Sequence, residues 1–131
     1  MGGGLSLHAL RKDVSPKLRG IFAISSYLVN SSSVIQKQLG SSSKLPVMMM
    51  HGEADEFIQC DWGRKTATNL LLRNIDVQFR TYPDTSHELV ESELVDLFYW
   101  IQDVLSTASV SVSADSKTKV EDYKKGTLGG R

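Results

Sequence analysis

Apolar positions along this chain fall into three short runs that have the patterns of β-strands. Two runs are almost continuously apolar, which is typical of strands covered on both faces: residues 20–28, GIFAISSYL, and residues 45–52, LPVMMMHG. A third run, residues 76–83 with the sequence DVQFRTYP, alternates apolar and polar side chains and predicts a strand nearer the sheet margin. We therefore expect three strands.

Four helices are predicted around and between these strands. The first covers Leu5 to Lys12, and the second is a short amphipathic piece within a serine-rich excursion at residues 30–43. The third runs from Gln59 to Asn74, where the asparagine is a suitable C-terminal cap. The last helix has the clearest apolar stripe, which we expect to face the core: Leu89, Leu94, Leu97, Phe98, Ile101 and Leu105.

The alternation of helices and strands predicts an α/β fold with a parallel sheet and right-handed crossovers. Three parallel strands with flanking helices make a small sheet, so we interpret the architecture as cut at its N-terminal side. The strand edge at Gly20 to Ser25 is expected to be exposed and capable of self-association. Residues 1–105 are predicted to form the domain part, and residues 106–131 a polar, disordered tail.

Charge and composition argue against several classes of function. Fifteen basic and fifteen acidic side chains give a formal net charge of zero, so no electrostatic footprint for nucleic acid is expected. The single cysteine, Cys60, cannot form an intrachain disulfide and fits a reducing compartment. No apolar stretch reaches the roughly 18 residues of a membrane span, so we expect a cytoplasmic protein without stable membrane insertion.

Two loops at predicted strand ends hold the candidates for chemistry. Asp55 lies in the loop HGEADEF after the second strand, and His87 lies in DTSHEL after the third. Adjacent parallel strands would bring these loops side by side. An acid followed by a histidine fits the last two members of a Ser-Asp-His triad in the chain order of α/β-hydrolases. Singly, Asp55 is also typical of a turn and His87 of a solvated helix start.

The remaining polar residues near these loops favour structural roles. His51 is expected to support the Asp55 loop, because no second histidine or cysteine stands at zinc spacing, and Cys60 is expected to pack as a small apolar side chain. The nucleophile of a triad is missing, since no G-x-S-x-G pentapeptide occurs and GLSLH at residues 4–8 lacks the closing glycine. We therefore predict that this chain alone has no hydrolase activity.

Several of these segments together resemble a known family. The segments LSLHAL, GIFAISSYL, VMMMHGEADEFI, VQFRTYPDTSHEL and LFYWIQDVL resemble the C-terminal half of the acyl-protein thioesterase and lysophospholipase family of α/β-hydrolases, over about residues 1–105. The resemblance implies a partial α/β-hydrolase fold. It also implies hydrolysis of thioesters or carboxylic esters, with acylated proteins, lysophospholipids or small esters as substrates and no metal or organic cofactor.

The same resemblance assigns roles to individual residues. Asp55 and His87 match the acid and base of the family's triad. Met1 falls where the family supplies one N–H of the oxyanion hole, directly after the position of the nucleophilic serine. Tyr27 and Leu28 fall near the family's acyl-binding groove. By this interpretation the segment MGGG at the start of the chain corresponds to the downstream side of a nucleophile elbow.

Three hypotheses about function follow from the sequence. The first is a fragment of a serine hydrolase that lacks its nucleophile. The second is a non-catalytic binding or regulatory fragment that pairs with an intact family member or with itself through the edge at Gly20 to Ser25. The third is a myristoylated membrane adaptor, because Gly2 and Ser6 fit the pattern M-G-x-x-x-S, although one acyl chain binds membranes only marginally.

Overall fold

The computed structural model describes residues 2–11, 18–36 and 45–107 of the chain. Within these ranges three strands form one parallel sheet in the order β1-β2-β3. The predicted α/β fold, with three parallel strands and flanking helices, is confirmed. The elements in chain order are α1 (Gly2–His8), β1 (Ile21–Ile24), α2 (Ser33–Gln36), β2 (Val47–Gly52), α3 (Cys60–Leu71), β3 (Val77–Tyr82) and α4 (91–107).

The strand register brings the carboxyl ends of β2 and β3 to the same edge of the sheet. Val47 lies opposite Val77 at the start of the two strands, and Gly52 lies opposite Tyr82 at their ends. Each strand is followed by a loop at that edge, where open α/β sheets place their ligand-binding groups. The loops that contain Asp55 and His87 therefore begin side by side.

Central strand β2 is buried along its whole length because helices cover both faces of the sheet. Met49 points into a core shared with α1, α2 and α3, while Met48 and Met50 point into a second core beneath α4. This alternation follows from the pleat of a strand, which sends successive side chains to opposite faces. The prediction of a strand buried on both faces is confirmed for β2.

Strand β1 differs from that prediction in length and burial. Its residues are paired with β2 on one side only, and Phe22 is 43% exposed. The strand ends at Ile24 because Ser25 has a φ of 47°, in the left-handed region that an extended strand does not contain. The burial predicted for residues 20–28 was therefore wrong at Phe22, since an edge strand lacks a neighbour to cover it.

Helix α3 ends at Leu71, three residues before the predicted end, and Asn74 closes the turn that follows it. Asn74 has a φ of 59°, and its N–H donates to the carbonyl of Leu71 at 2.9 Å. The next N–H, from Ile75, donates to the carbonyl of Leu70 at 3.2 Å, and both of these apolar side chains are buried in the core. Two such bonds around a left-handed residue form a Schellman motif, so the predicted cap at Asn74 is confirmed.

Helix α4 presents a different face to the sheet from the one predicted. Glu93, Leu97 and Trp100 are buried against the sheet, whereas the rest of the predicted stripe is exposed. Two hydrogen bonds set this orientation: the hydroxyl of Tyr82 donates to Oδ2 of Asp96 at 2.8 Å, and the N–H of Val90 donates to Oε2 of Glu93 at 3.1 Å. The second bond is half of a capping box at the helix start.

The two ends of the chain also differ from their predicted bounds. Helix α1 begins at Gly2 and ends at His8, earlier than predicted at both ends. The hydroxyl of Ser6 donates to the carbonyl of Gly2 at 3.1 Å, inside this helix. Residues 106 and 107 continue α4, and the rest of the predicted tail lies outside the described residues. None of the helices in the described ranges is long and apolar enough to cross a membrane.

Candidate active site

The loop after β2 holds the carboxylate of Asp55 in one orientation. Its Oδ1 accepts hydrogen bonds from the backbone N–H groups of Phe57 and Ile58, each at 2.9 Å. Such bonds between a side chain and the backbone two and three residues ahead define a tight local turn. The side chain is buried, and the turn directs its second oxygen, Oδ2, away from the loop backbone. One carboxylate oxygen is thus used for structure, and the other remains for a partner.

The loop after β3 packs directly on the end of β2. The N–H of Ala54 donates to the carbonyl of Thr85 at 3.0 Å, and the N–H of Glu53 donates to the carbonyl of Tyr82 at 2.9 Å. Gly52 makes this approach possible, since a Cβ built on it would lie 2.2 Å from the carbonyl oxygen of Thr85. A residue with any side chain would push the two loops apart.

These two loops bring Asp55 and His87 into contact. Nδ1 of His87 lies 2.8 Å from Oδ2 of Asp55, which is the distance of a strong hydrogen bond. Because an ionised carboxylate only accepts, the proton of the neutral ring lies on Nδ1, and Nε2 keeps its lone pair. The histidine side chain is 40% exposed, and no described residue hydrogen-bonds to its Nε2. The ring can therefore accept a proton from a group outside this pair.

The electrostatics of Asp55 favour its ionised form. Burial by itself raises the pKa of this carboxyl, but the Ile58 N–H, the His87 ring and the Phe57 N–H together outweigh burial and hold the pKa below its ordinary value. An ionised Asp55 is the form that orients and stabilises a protonated imidazole. Asp55 is therefore in the ionised form that a histidine base next to a nucleophile requires.

His51 supports this loop from below, as the sequence predicts. Its Nε2 donates to the carbonyl of Ile58 at 2.8 Å and lies 3.5 Å from Oδ2 of Asp55. The ring is completely buried, and a Cβ built on Gly63 of α3 would lie 2.6 Å from its Nδ1. In the part of the chain that the structure describes, no group of three histidine, cysteine or carboxylate side chains is arranged to hold a metal ion.

Comparison with known proteins identifies the family of this fold and site. The Phospholipase/Carboxylesterase family matches residues 1–105. The chain belongs to this family. Lysophospholipase-like protein 1 of Mus musculus is 31% identical over 102 residues, and acyl-protein thioesterase 1 of Gibberella zeae is 38% identical over 95 residues. The predicted resemblance to acyl-protein thioesterases and lysophospholipases is confirmed.

Solved structures of α/β-hydrolases share this architecture. Arabidopsis thaliana SOBER1 is 26% identical and superposes with a TM-score of 0.70, and Zea mays acyl-protein thioesterase 2 shares the fold at 0.68. The matches cover 79% and 80% of this chain, but only 49% and 53% of those structures. The same holds for the sequence relatives, of which the chain covers 42% in the mouse protein and 40% in the Gibberella protein.

The sequence analysis did not identify one aromatic side chain that lies beside Asp55 and His87. Phe57 is 79% exposed, and its ring meets the ring of His87 edge to face with centroids 5.6 Å apart. Its signal was present in the loop HGEADEF, where a large apolar residue follows the acid two positions later on an exposed turn.

The other residues that were predicted from the sequence lie in different environments. Tyr27 is partly exposed and contacts the ring of Trp62, with centroids 5.0 Å apart. Leu28 is buried in the core, and its N–H donates to the hydroxyl of Thr66 at 2.9 Å. Burial raises the pKa of the Cys60 thiol, which keeps it in its less reactive protonated form. Met1, the predicted oxyanion-hole residue, lies outside the described residues.

Proposed function

We propose that Asp55 and His87 are the acid and base of a serine hydrolase that cleaves thioesters or short-chain carboxylic esters. The observation that carries this proposal is the 2.8 Å contact between Nδ1 of His87 and Oδ2 of Asp55 at the carboxyl ends of adjacent parallel strands. In such a site the imidazole removes the proton of the nucleophile through Nε2, and the carboxylate stabilises the imidazolium that forms.

Acylated proteins and small esters are the proposed substrates. The support comes from relatives whose names are acyl-protein thioesterase and lysophospholipase-like protein. Exposed apolar surface next to the base, provided by Phe57, suits a substrate with a hydrocarbon acyl group. Tyr27 lies after the carboxyl end of β1, at the same edge of the sheet, and we place it at the margin of the substrate groove. A cytoplasmic location fits the single free cysteine.

The nucleophile is proposed to come from outside the residues of this chain. No G-x-S-x-G motif occurs in the sequence, and within the described residues no serine hydroxyl hydrogen-bonds to His87. Without a nucleophile, the base has no hydroxyl group to activate. Without an oxyanion hole, no hydrogen-bond donors stabilise the transition state. We therefore propose that the chain by itself does not hydrolyse esters.

A hybrid protein tests the proposed roles directly. Residues 2–105 would replace the matching part of mouse lysophospholipase-like protein 1, and hydrolysis of a p-nitrophenyl ester would be measured. Substitution His87→Ala should lower kcat by a factor on the order of 10⁶, and Asp55→Ala by a factor on the order of 10⁴. His8→Ala, on α1, is the matched control and should leave kcat unchanged. A folded hybrid whose activity survives His87→Ala would overturn the assignment.

The 131-residue chain provides the second arm of this experiment. It should show no ester hydrolysis above a His87→Ala variant of itself. Activity of the unmodified chain that disappears in His87→Ala would support the base and refute the proposed inactivity. The two arms therefore test the two parts of the proposal separately.

A second candidate function is supported by the exposed edge of β1. A sheet edge with an apolar side chain beside it is a site at which another chain can add. A non-catalytic fragment that pairs with an intact family member would use this edge and would not need Nε2 of His87. The His87→Ala chain would then bind the intact member as well as the unsubstituted chain does.

A further inference from the structure

His51 contacts the Asp55 carboxylate as well as the backbone of the loop that carries it. The Nε2–H group of His51 donates to the carbonyl of Ile58 at 2.8 Å and lies 3.5 Å from Oδ2 of Asp55. The N–H of Ile58 in turn donates to Oδ1 of Asp55 at 2.9 Å. These three contacts close a cycle that includes both oxygens of the carboxylate, so the position of His51 and the orientation of Asp55 are linked.

Oδ2 of Asp55 lies between two imidazole rings. Nδ1 of His87 is 2.8 Å from this oxygen and Nε2 of His51 is 3.5 Å from it, and each of these nitrogens carries a proton. The shorter contact is a hydrogen bond, whereas the N–H of His51 acts on Oδ2 mainly as a dipole with its positive end toward the oxygen. The Asp55 side chain is 0% exposed, so protein groups replace the water that an ionised carboxylate loses on burial.

The other nitrogen of the His51 ring has no partner. Within the described residues no group hydrogen-bonds to Nδ1, although the ring is completely buried. A buried polar atom without a partner lowers stability, and an apolar side chain of similar volume would fill the same space without that cost. A histidine is therefore unfavourable here for packing alone, and the feature that distinguishes it from an apolar residue is its Nε2–H donor.

Gly63, in the first turn of α3, leaves the space that the His51 ring occupies. A Cβ at this position would lie 2.6 Å from Nδ1 and 3.2 Å from Cε1 of His51, and 3.2 Å from the carbonyl oxygen of Ser26. Glycine is less favourable than alanine inside a helix. The buried ring could move away from an added methyl group only by moving Nε2 relative to Ile58 and Asp55. Gly63 thus contributes to the position of the ring at a cost in helix stability.

These contacts lie in the interior of the described structure. The side chains of His51 and Asp55 are 1% and 0% exposed, and the residues that enclose them belong to β2, the loop after it, α3 and the loop after β1. Because the ring is enclosed by this part of the chain itself, further polypeptide at the surface would not change its contacts.

We propose that His51 is a positioning residue for Asp55 and His87, and that Gly63 holds the His51 ring in place. This role rests on the proposed function, in which His87 is the base. By binding the Ile58 carbonyl and facing Oδ2, the Nε2–H of His51 keeps the carboxylate within hydrogen-bond distance of Nδ1 of His87. The proton of the neutral His87 ring then stays on Nδ1, and its Nε2 stays free to accept a proton from the nucleophile.

Substitutions of His51 in the hybrid protein test this role kinetically. His51→Leu removes the donor but fills the space, and should lower kcat by a factor on the order of 10² while KM changes by less than about twofold, because the buried ring does not touch the substrate. His51→Gln places an amide N–H near the position of Nε2 and should restore kcat to within about tenfold of the unsubstituted hybrid.

Gly63→Ala tests the same role without removing the donor. The added methyl group should displace the His51 ring and lower kcat at least about fivefold, although alanine by itself favours the helix. Both substitutions act through one ring, so Gly63→Ala should have no further effect on kcat in His51→Leu.

Val47→Ala is the matched control for a loss of stability. Val47 is 1% exposed and lies in the same strand as His51, at the end far from the Asp55 loop. Loss of its buried methyl groups should lower the urea midpoint of the hybrid and leave kcat unchanged. A fall in kcat that accompanies His51→Leu but not Val47→Ala is therefore due to positioning.

Nitrogen-15 NMR of the His87 ring in the 131-residue chain gives a readout that does not depend on activity. In the unsubstituted chain the Nδ1–H tautomer should predominate. His51→Leu should lower the ratio of the Nδ1–H to the Nε2–H tautomer about tenfold, and His51→Gln should restore it. A structural role of His51 that did not act on Asp55 would leave this ratio unchanged.

The outcomes distinguish this role from the proposed function. Activity of the hybrid that survives His87→Ala, with a tautomer ratio that still depends on His51, would overturn the function and support the positioning. Unchanged kcat and tautomer ratio in His51→Leu, when His87→Ala is inactive, would overturn the positioning alone. Equal losses in His51→Leu and His51→Gln would assign His51 to packing and also overturn it. If His51→Leu does not fold, an unchanged kcat in Gly63→Ala would have the same meaning.

Discussion

Oδ2 of Asp55 lies 2.8 Å from Nδ1 of His87, although the two residues are 32 positions apart in the chain. Two parallel strands in register bring their loops together, and Gly52 lets the second loop pack on the first without a gap. The oxygen that meets the histidine is the one that the local turn leaves unused. The contact therefore combines one local and one tertiary constraint.

Asp55→Asn should change the protonation of the His87 ring without moving the loop. The amide oxygen can accept from the N–H groups of Phe57 and Ile58 in place of Oδ1, which turns the amide NH₂ toward His87. Nδ1 must then accept, so the ring proton should move from Nδ1 to Nε2. Two-dimensional ¹⁵N NMR of the ring distinguishes the tautomers. An Nε2–H tautomer already present in the unsubstituted chain would contradict the assigned hydrogen bond.

Acid should remove the stabilisation that Asp55 provides. Its folded pKa lies below its ordinary value of 3.8, so its contribution is complete above that value and is lost as the pH falls through the folded pKa. The difference in unfolding free energy between the natural chain and Asp55→Asn should be constant above about pH 5 and should shrink below it. Urea unfolding at a series of pH values measures this difference. A difference that grows on acidification would contradict the lowered pKa.

Gly52→Ala should disrupt the site by pushing apart the loops after β2 and β3. The added Cβ would lie 2.2 Å from the carbonyl oxygen of Thr85, and backbone atoms cannot move aside as the end of a flexible side chain can. We expect a loss of about 3 kcal/mol in unfolding free energy, at the upper end of overpacking costs. Gly2→Ala is the control, because a Cβ there meets no atom within 4 Å. Equal urea midpoints for the two variants would contradict the close approach.

Tyr82→Phe should weaken the attachment of α4 to the sheet. Burial, together with a hydrogen bond to the Asp96 carboxylate, raises the pKa of the Tyr82 hydroxyl and keeps it as a donor. Its loss should cost about 1 kcal/mol in unfolding free energy, the typical net value of one hydrogen bond. Tyr99→Phe is the matched control, since Tyr99 is exposed on the same helix and should change stability by less than about 0.5 kcal/mol.

Local patterns in the sequence predicted those features of the fold that depend on the local backbone geometry alone. The continuous apolar run of β2 and the cap at Asn74 depend on the pleat and on a left-handed residue, and both were confirmed. The same reasoning failed for β1 and α4, because burial there depends on what lies beside each element. Phe22 is apolar but at an edge, and Phe98 is part of an apolar stripe that faces outward.

The sequence by itself determined the order of strands and helices, the resemblance to acyl-protein thioesterases and lysophospholipases, and the placement of Asp55 and His87 after consecutive strands. The periodicity of apolar residues reveals strands and helices because the backbone geometry of each repeats regularly, and the order of these elements along the chain places the two residues. Only the tertiary structure decided that the two side chains meet and that α4 turns most of its apolar stripe outward. Those features depend on contacts between residues far apart in the chain, such as Tyr82 with Asp96, which no local pattern encodes.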